Sequence, residues 1–247
     1  MIELKTDREI ELMREAGRIV ADLLGTLTTL VRPGVKTKEL DEAAVAFLKQ
    51  AGAQPAFLGY RGFPATICVS INEEVVHGIP GERTIREGDL VSIDAGDILH
   101  GFYADAATTI PVEPVSPQAR RLIEMTRQAL AEGITQAVVG HRLSDISHTV
   151  QRVVEAEGLG VVRDFVGHGI GHALHEDPPI PNFGPPNIGP RLKAGMVLAI
   201  EPMVTLGRYE VKILDDGWTA VTRDRSLAAH FEHTVAVTEH GPEILTN

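Results

Sequence analysis

Apolar residues recur along this chain with two different periods, and the switches between them mark out its elements. Ile10, Met13, Gly17, Val20, Leu24 and Leu27 keep the spacing of one helix face. Thr6 and Asp7 supply the start of that helix, and Val31-Arg32-Pro33-Gly34 its stop. Thr37, Leu40, Ala44, Phe47 and Leu48 predict a second helix, closed by Gly52. Residues 66–71 read as a strand. Ser116 caps a third helix, with Pro117 at its first position, expected to run to about Val139. A fourth is expected from Ser144 to Glu157. A Gly/His stretch, a proline-rich loop over 177–190, a strand ending at Glu201 and a C-terminal β region follow.

Residues 90–109, LVSIDAGDILHGFYADAATT, predict a hairpin with one carboxylate on each strand. Asp94 closes an apolar run and Asp105 follows on the return strand, with residues 95–101 read as a turn-rich connection. Asp97 and Asp89 then fall among turn residues. An acid at the end of a buried strand must be paired, protonated or metal-bound. Two facing acids disfavour each other's ionised form, and a dication is the usual remedy.

The chain also repeats itself. GVKTKELDEAAVAFLKQAG, from Gly34, matches GHRLSDISHTVQRVVEAEG, from Gly140, with Lys36 over Arg142, Glu39 over Asp145, Leu40 over Ile146, Leu48 over Val154 and Gly52 over Gly158. At nearly the same offset REGDLVSID, ending at Asp94, matches KAGMVLAIE, ending at Glu201. A duplicated α/β half explains both matches and places Asp94 and Glu201 at symmetry-related positions facing one central site.

Composition narrows the setting. At 247 residues, 43% hydrophobic and 23% charged, the chain has an ordinary globular balance and the length to bury a large core. A single cysteine, Cys68, excludes an intrachain disulfide and favours a reducing, cytosolic setting. The charged N-terminus is no signal peptide, and no apolar run reaches membrane-spanning length. A net charge of -11 argues against general nucleic-acid binding.

Three further stretches carry metal-type donors: His168 among glycines in VGHGIGH, Glu201 after LAI, and Glu232 before a β-rich run. With Asp94 and Asp105 they make a set of hard oxygens with one imidazole, suited to Mn, Fe, Co or Zn. Four carboxylates balance two divalent ions, and two such ions bridged by carboxylates form a recognised hydrolytic device.

GYRGFP, SINEEVVHGIP, SIDAGDILHGFYADAATT, VGHGIGHALHEDP, LAIEPM, DGWT and DRSLAAHFEHTVAVT, taken in order, resemble the motif series of type I methionine aminopeptidases over nearly the whole chain. The resemblance implies an α+β, pita-bread fold: two pseudo-symmetric halves with curved antiparallel sheet inside and helices outside. The halves fall here at about 1–115 and 116–247, within one catalytic domain over 1–247. It implies two divalent metal ions (Co, Mn, Fe or Zn) held by Asp94, Asp105, His168, Glu201 and Glu232. Asp105 and Glu232 would bridge, Asp94 would serve one ion, and His168 and Glu201 the other. His77 would sit near the scissile amide nitrogen and His175 on the substrate carbonyl, roles that suit imidazoles. A hydroxide bridging the two ions would attack the first peptide bond, with Glu201 as proton shuttle. Phe57, Tyr60, Phe63, Leu174 and Trp218 match positions lining a slot for the methionine side chain, where sulfur–aromatic contacts are favourable. Trp218 reads equally well as plain core. Phe57 stands where some relatives carry cysteine, and Leu174 where some carry phenylalanine, so the slot's shape differs from theirs. The implied substrate is the N-terminal methionine of nascent polypeptides in the cytoplasm. The implied enzyme is a monomer needing neither nucleic acid nor membrane, and any ribosome contact falls on the body of the domain.

Two other readings stand beside this one. Prolidases and Xaa-Pro aminopeptidases share the fold but usually carry an extra N-terminal domain, for which a helix starting near Asp7 leaves no room. A non-catalytic binding homologue would lose ligands, whereas all five positions are filled here. The 33 positions from His168 to Glu201 leave no space for the helical insertion of type II enzymes. His100, His141, His148 and His240 read as surface or packing residues. His172 reads as structural, because glycines at 169 and 171 disfavour a helical pair with His168. His233 points away from the face of Glu232.

Overall fold

Each expected helix forms, and local capping explains where. The computed structural model describes residues 2–247 and has four α-helices: α1 (Asp7–Leu30), α2 (Thr37–Ala51), α3 (Pro117–Ile134) and α4 (Leu143–Ala156). The Thr6 side chain accepts the Glu9 N–H, and Glu9 Oε2 accepts the Thr6 N–H at 2.7 Å, so two otherwise orphaned donors are satisfied at the start of α1. Helices α2 and α4 repeat each other in detail. Each follows a basic residue, Lys36 or Arg142, whose peptide N–H donates to the acid three residues on at 2.8 Å. Each of those basic residues also makes an antiparallel bridge, to Thr84 and Arg191 respectively. Helix α3 stops short of Val139. Gln136 and Ala137 turn back to bond the carbonyls of Gly133 and Ile134, which tightens the last turn out of α geometry.

The central sheet has nine antiparallel strands. Its spine runs Gln54–Pro55, Leu90–Leu99, Phe102–Pro111, Glu232–Thr238, Val197–Ile200, Gly167–Gly169 and Glu176–Ile180. Ile67–Ile71 adds to Leu90–Leu99, and Gly241–Ile244 to Glu232–Thr238. Helices α1 and α2 pack on the first-half strands through Leu23, Leu27, Leu40, Leu48, Ile67 and Ile93. Helices α3 and α4 pack on the second-half strands through Leu122, Ile146, Val150, Leu198 and Val235. This is the pita-bread arrangement, with the sheet's inner face left free of helices.

The central hairpin departs from its sequence reading. Residues 95–99 are strand, and the ladder holds from Leu90 opposite Pro111 to Leu99 opposite Phe102. Only His100 and Gly101 turn, with φ of 52° and 81°, the paired left-handed conformation that matches strand twist. Asp97 is therefore a strand residue rather than a turn residue. It is fully buried, and burial, followed by the charge of Asp105, pushes its carboxyl up to about 8. The proline-rich loop also contains a strand, Glu176–Ile180, at the edge of the sheet where proline is tolerated.

Helix α1 closes on the far end of the chain. A Cβ on Gly17 would lie 2.2 Å from the carbonyl oxygen of Leu245, and Arg14 Nε donates to Glu243 Oε1 at 2.7 Å. Replacing Gly17 by alanine should lower unfolding free energy by about 1–3 kcal/mol in chemical denaturation, because backbone must move to admit the methyl. The exposed Gly25 of the same helix has open space around it. Gly25→Ala should instead stabilise by up to about 1 kcal/mol. Equal effects at the two sites would show that the α1 contact with Leu245 is not the tight one.

Candidate metal centre

Strand register brings the five predicted metal ligands to one face. Asp94 pairs with Ala107, and Ala107 pairs on its other side with Glu232, so the two acids stand in one row across three strands. Asp105 lies two residues before Ala107 and shares its face. A second row runs Thr234, Ala199, His168. Thr234 is two residues beyond Glu232, and Glu201 two beyond Ala199, so His168 and Glu201 join the same side. Ala107 and Ala199 keep the middle of each row small. Gly167 and Gly169 flank His168, and a Cβ on them would meet the carbonyl oxygens of Ala199 at 2.3 Å and Asp177 at 2.2 Å. Only glycine lets the neighbouring strands approach the histidine so closely.

All five of these groups line one cleft. Asp105 and Glu232 are 3% exposed and His168 is 6% exposed. His168 Nε2 lies 3.5 Å from Asp105 Oδ2 and 3.6 Å from Glu201 Oε1. Its Nδ1 is 2.9 Å from the Gly169 carbonyl oxygen, which can only accept. Nδ1 therefore carries the proton in the neutral ring, and the Nε2 lone pair faces the acids. The Thr234 hydroxyl donates to the Asp105 carbonyl at 2.8 Å, which fixes the strand beneath that carboxylate.

Burial dominates the electrostatics. It pushes Asp94 up to about 8, with His230 opposing and the neighbouring Asp105 and Glu201 charges adding. Asp105 rises to about 7 and Glu201 to about 8, again chiefly through burial. Glu232 is raised by burial and then by Asp105, Glu201 and Asp94. Asp94 Oδ1 is buried without a hydrogen-bond partner. Four crowded carboxylates, one of them with an unpartnered oxygen, beside an imidazole lone pair fit a divalent cation. Two triads bring their donor atoms within 4.8 Å of one another: Asp105, His168 and Glu232, and Glu201, His230 and Glu232.

The remaining predicted residues line the same cleft: His77 and His175, with Phe57, Tyr60, Phe63, Leu174 and Trp218. His175 stacks on Tyr60 at 5.2 Å with its Nδ1 2.9 Å from the Tyr60 hydroxyl, and its ring is 4.1 Å from that of His168. Phe63 and Trp218 meet edge to face at 5.1 Å, and His77 packs edge to face on Phe165 at 5.2 Å. Burial lowers His77 to about 4, and lowers His175 to about 3 with help from His168, Arg61 and His77. His172 lies off the cluster, 3.5 Å from Glu9 and against Phe102. His233 turns to Thr246 at 2.9 Å.

Arg61, Cys68 and His230 stand at the site without having been singled out for it from the sequence, Arg61 lining the cleft over the Tyr60 ring. Cys68, paired with Asp94 across the sheet, lines the cleft, and burial raises its thiol. His230 is 1% exposed with Nε2 3.5 Å from Glu201 Oε2. Its signal was its place two residues before Glu232, on the same side of an extended chain.

A sequence profile of metallopeptidase family M24 matches residues 11–239. The methionine aminopeptidase of Clostridium perfringens is 55% identical over 246 residues, covering 100% of this chain and 99% of that one. The crystal structure of the Thermotoga maritima methionine aminopeptidase superposes with a TM-score of 0.99 at 46% identity, covering 100% of both chains. The Pyrococcus furiosus prolidase superposes at 0.80 with 24% identity over 99% of this chain and 65% of its own, a likeness of fold alone. The acid-rich centre is thus a divalent-metal site, and the chain belongs to metallopeptidase family M24.

Proposed function

We propose that this protein is a metal-dependent aminopeptidase that removes the N-terminal methionine from polypeptides. The supporting observation is the meeting of a buried carboxylate–imidazole donor set and an aromatic slot in one cleft. The chain's 55% identity to a protein named methionine aminopeptidase points the same way. In this reading Asp94, Asp105, His168, Glu201 and Glu232 would hold two divalent ions, drawn from Co, Mn, Fe or Zn, and Asp105 and Glu232 would serve both. When bound, such ions polarise a carbonyl and make water nucleophilic near neutral pH.

The chain's own groups do the rest. Phe57, Tyr60, Phe63, Leu174 and Trp218 take the methionine side chain and exclude water around its thioether. His175 is neutral at pH 7. The tautomer in which the Tyr60 hydroxyl donates to Nδ1, across 2.9 Å, puts the His175 proton on Nε2, from which it would donate to the substrate carbonyl oxygen. His77, also neutral, stands near the scissile amide nitrogen. Glu201 takes the proton released as water attacks and returns it to the leaving amine. The same reading makes residues 1–247 a single catalytic domain, acting as a cytosolic monomer on nascent chains. Any contact with the ribosome would fall on the body of that domain.

Protein stripped of metal and reloaded with Mn or Co should release methionine from Met-Ala peptides, with Xaa-Pro dipeptides run alongside as the competing substrates. Cleavage of the Xaa-Pro dipeptides alone would overturn the assignment. Asp105→Asn and Glu232→Gln should each lose metal, by elemental analysis, and at least about 100-fold in kcat/KM while keeping the parental circular dichroism. Normal turnover by either variant would remove it from the ligand set. Finally, the raised carboxyls hold protons below about pH 7–8 in the metal-free protein. Metal affinity should therefore rise with pH through that range, and binding at pH 7 should release protons. Calorimetry in two buffers of different ionisation heat reads this directly, and no release would mean the acids are already ionised.

A further inference from the structure

His230 is the buried polar group beside the acids that the chemistry above leaves unused. Its backbone is clamped. The His230 N–H donates to Thr109 Oγ1 at 2.9 Å, and the same hydroxyl donates back to the His230 carbonyl at 2.8 Å. Its strand pairs with Met203–Thr205, just beyond Glu201. The imidazole is 1% exposed, and Nε2 has no hydrogen-bond partner. A buried imidazole nitrogen without a partner is unfavourable, so its position calls for a reason.

Glu201 supplies that reason. Its carboxylate stands between two imidazoles: Oε1 is 3.6 Å from His168 Nε2, and Oε2 is 3.5 Å from His230 Nε2. Its backbone carbonyl is held by Asn182 Nδ2 at 2.9 Å, which leaves the side-chain torsions as the remaining freedom. With Oε1 on the His168 side, Oε2 faces the buried His230 nitrogen that lacks a hydrogen-bond partner. A small rotation of the carboxylate brings the pair to hydrogen-bond length.

We propose that His230 is a positioning residue for Glu201. Its Nε2–H holds Oε2, so that Oε1 is presented toward His168 and the divalent ion is bound more tightly. The proposal rests on the reading of Glu201 as a metal ligand. Outer partners of this kind orient ligating groups and tune affinity without touching the ion.

The test is Mn binding to metal-stripped protein by calorimetry, with folding checked by thermal melting. His230→Leu keeps the bulk and loses the donor, and His230→Gln keeps a planar N–H donor. H230L should weaken Mn binding roughly 10–100-fold, while H230Q stays within about 3-fold of the parent. H230L should add no further loss in a Glu201→Gln background, because the group it holds is then changed. If H230L does not fold, His230→Met, which keeps comparable bulk on a more adaptable side chain and has no N–H, serves as the donor-deprived variant. The visible spectrum of the Co-loaded H230Q protein should match that of the parent, since no ligand has been replaced. A shifted spectrum, or equal losses in H230L and H230Q, would make His230 a ligand and overturn the proposal. Parental Mn affinity in H230L alongside weakened binding in E201Q would overturn it too. Parental affinity in E201Q would instead remove the ligand reading of Glu201 beneath it.

Discussion

The pairing of Glu232 with Ala107 joins the two half-sheets, and the metal centre depends on that register. A slip of one residue would turn Glu232 toward the helices and bring His233 to the cleft. The same row fixes Asp94, and the alternate residues Asp105 and Thr234 extend the acid face on both strands. Small side chains at Ala107 and Ala199 make the rows tolerable, because larger groups would fill the space between the acids. The site is therefore a property of sheet pairing more than of any loop. That explains how side chains from such distant segments can be placed firmly.

The second constraint is charge. Four carboxylates share a small volume, and burial raises each of those named above well beyond the ordinary carboxyl range. Protonation relieves this crowding without a cation, and a bound cation would relieve it in the proton's place. His77 and His175 are shifted the opposite way by the same burial. One desolvated cleft thus pushes its acids toward the protonated form and keeps these imidazoles neutral over a wider pH range than usual.

Much of this was legible in the chain. Asp94 and Asp105 declared themselves by ending or interrupting apolar runs, and His168 by its flanking glycines. The paired segments from Gly34 and Gly140 announced two equivalent helices. What stayed hidden had physical reasons. Residues 95–99 look like a turn because Gly96 and Asp97 break the alternation expected of a strand. Yet much of this strand is buried on both faces, so alternation was never required of it. The strand Glu176–Ile180 was masked by its prolines, which an edge position accommodates. His230 had only its spacing from Glu232 to mark it, because its burial comes from the pairing with Met203–Thr205 far back along the chain. Helix α3 ended early through turn bonds that no periodicity records.

The seating of Gly17 against Leu245 bears on how the molecule assembles. Leu245 follows Gly241–Ile244, which pairs with Glu232–Thr238, the strand that carries Glu232. The earliest helix and the last of the proposed ligands therefore meet at one place, the docking of this terminal hairpin. Contacts so far apart in sequence close long loops and raise the contact order of the fold. A chain still being synthesised displays Asp94 and Asp105 well before Glu232 exists. The proposed donor set is thus complete only once the strand that carries Glu232 has been made.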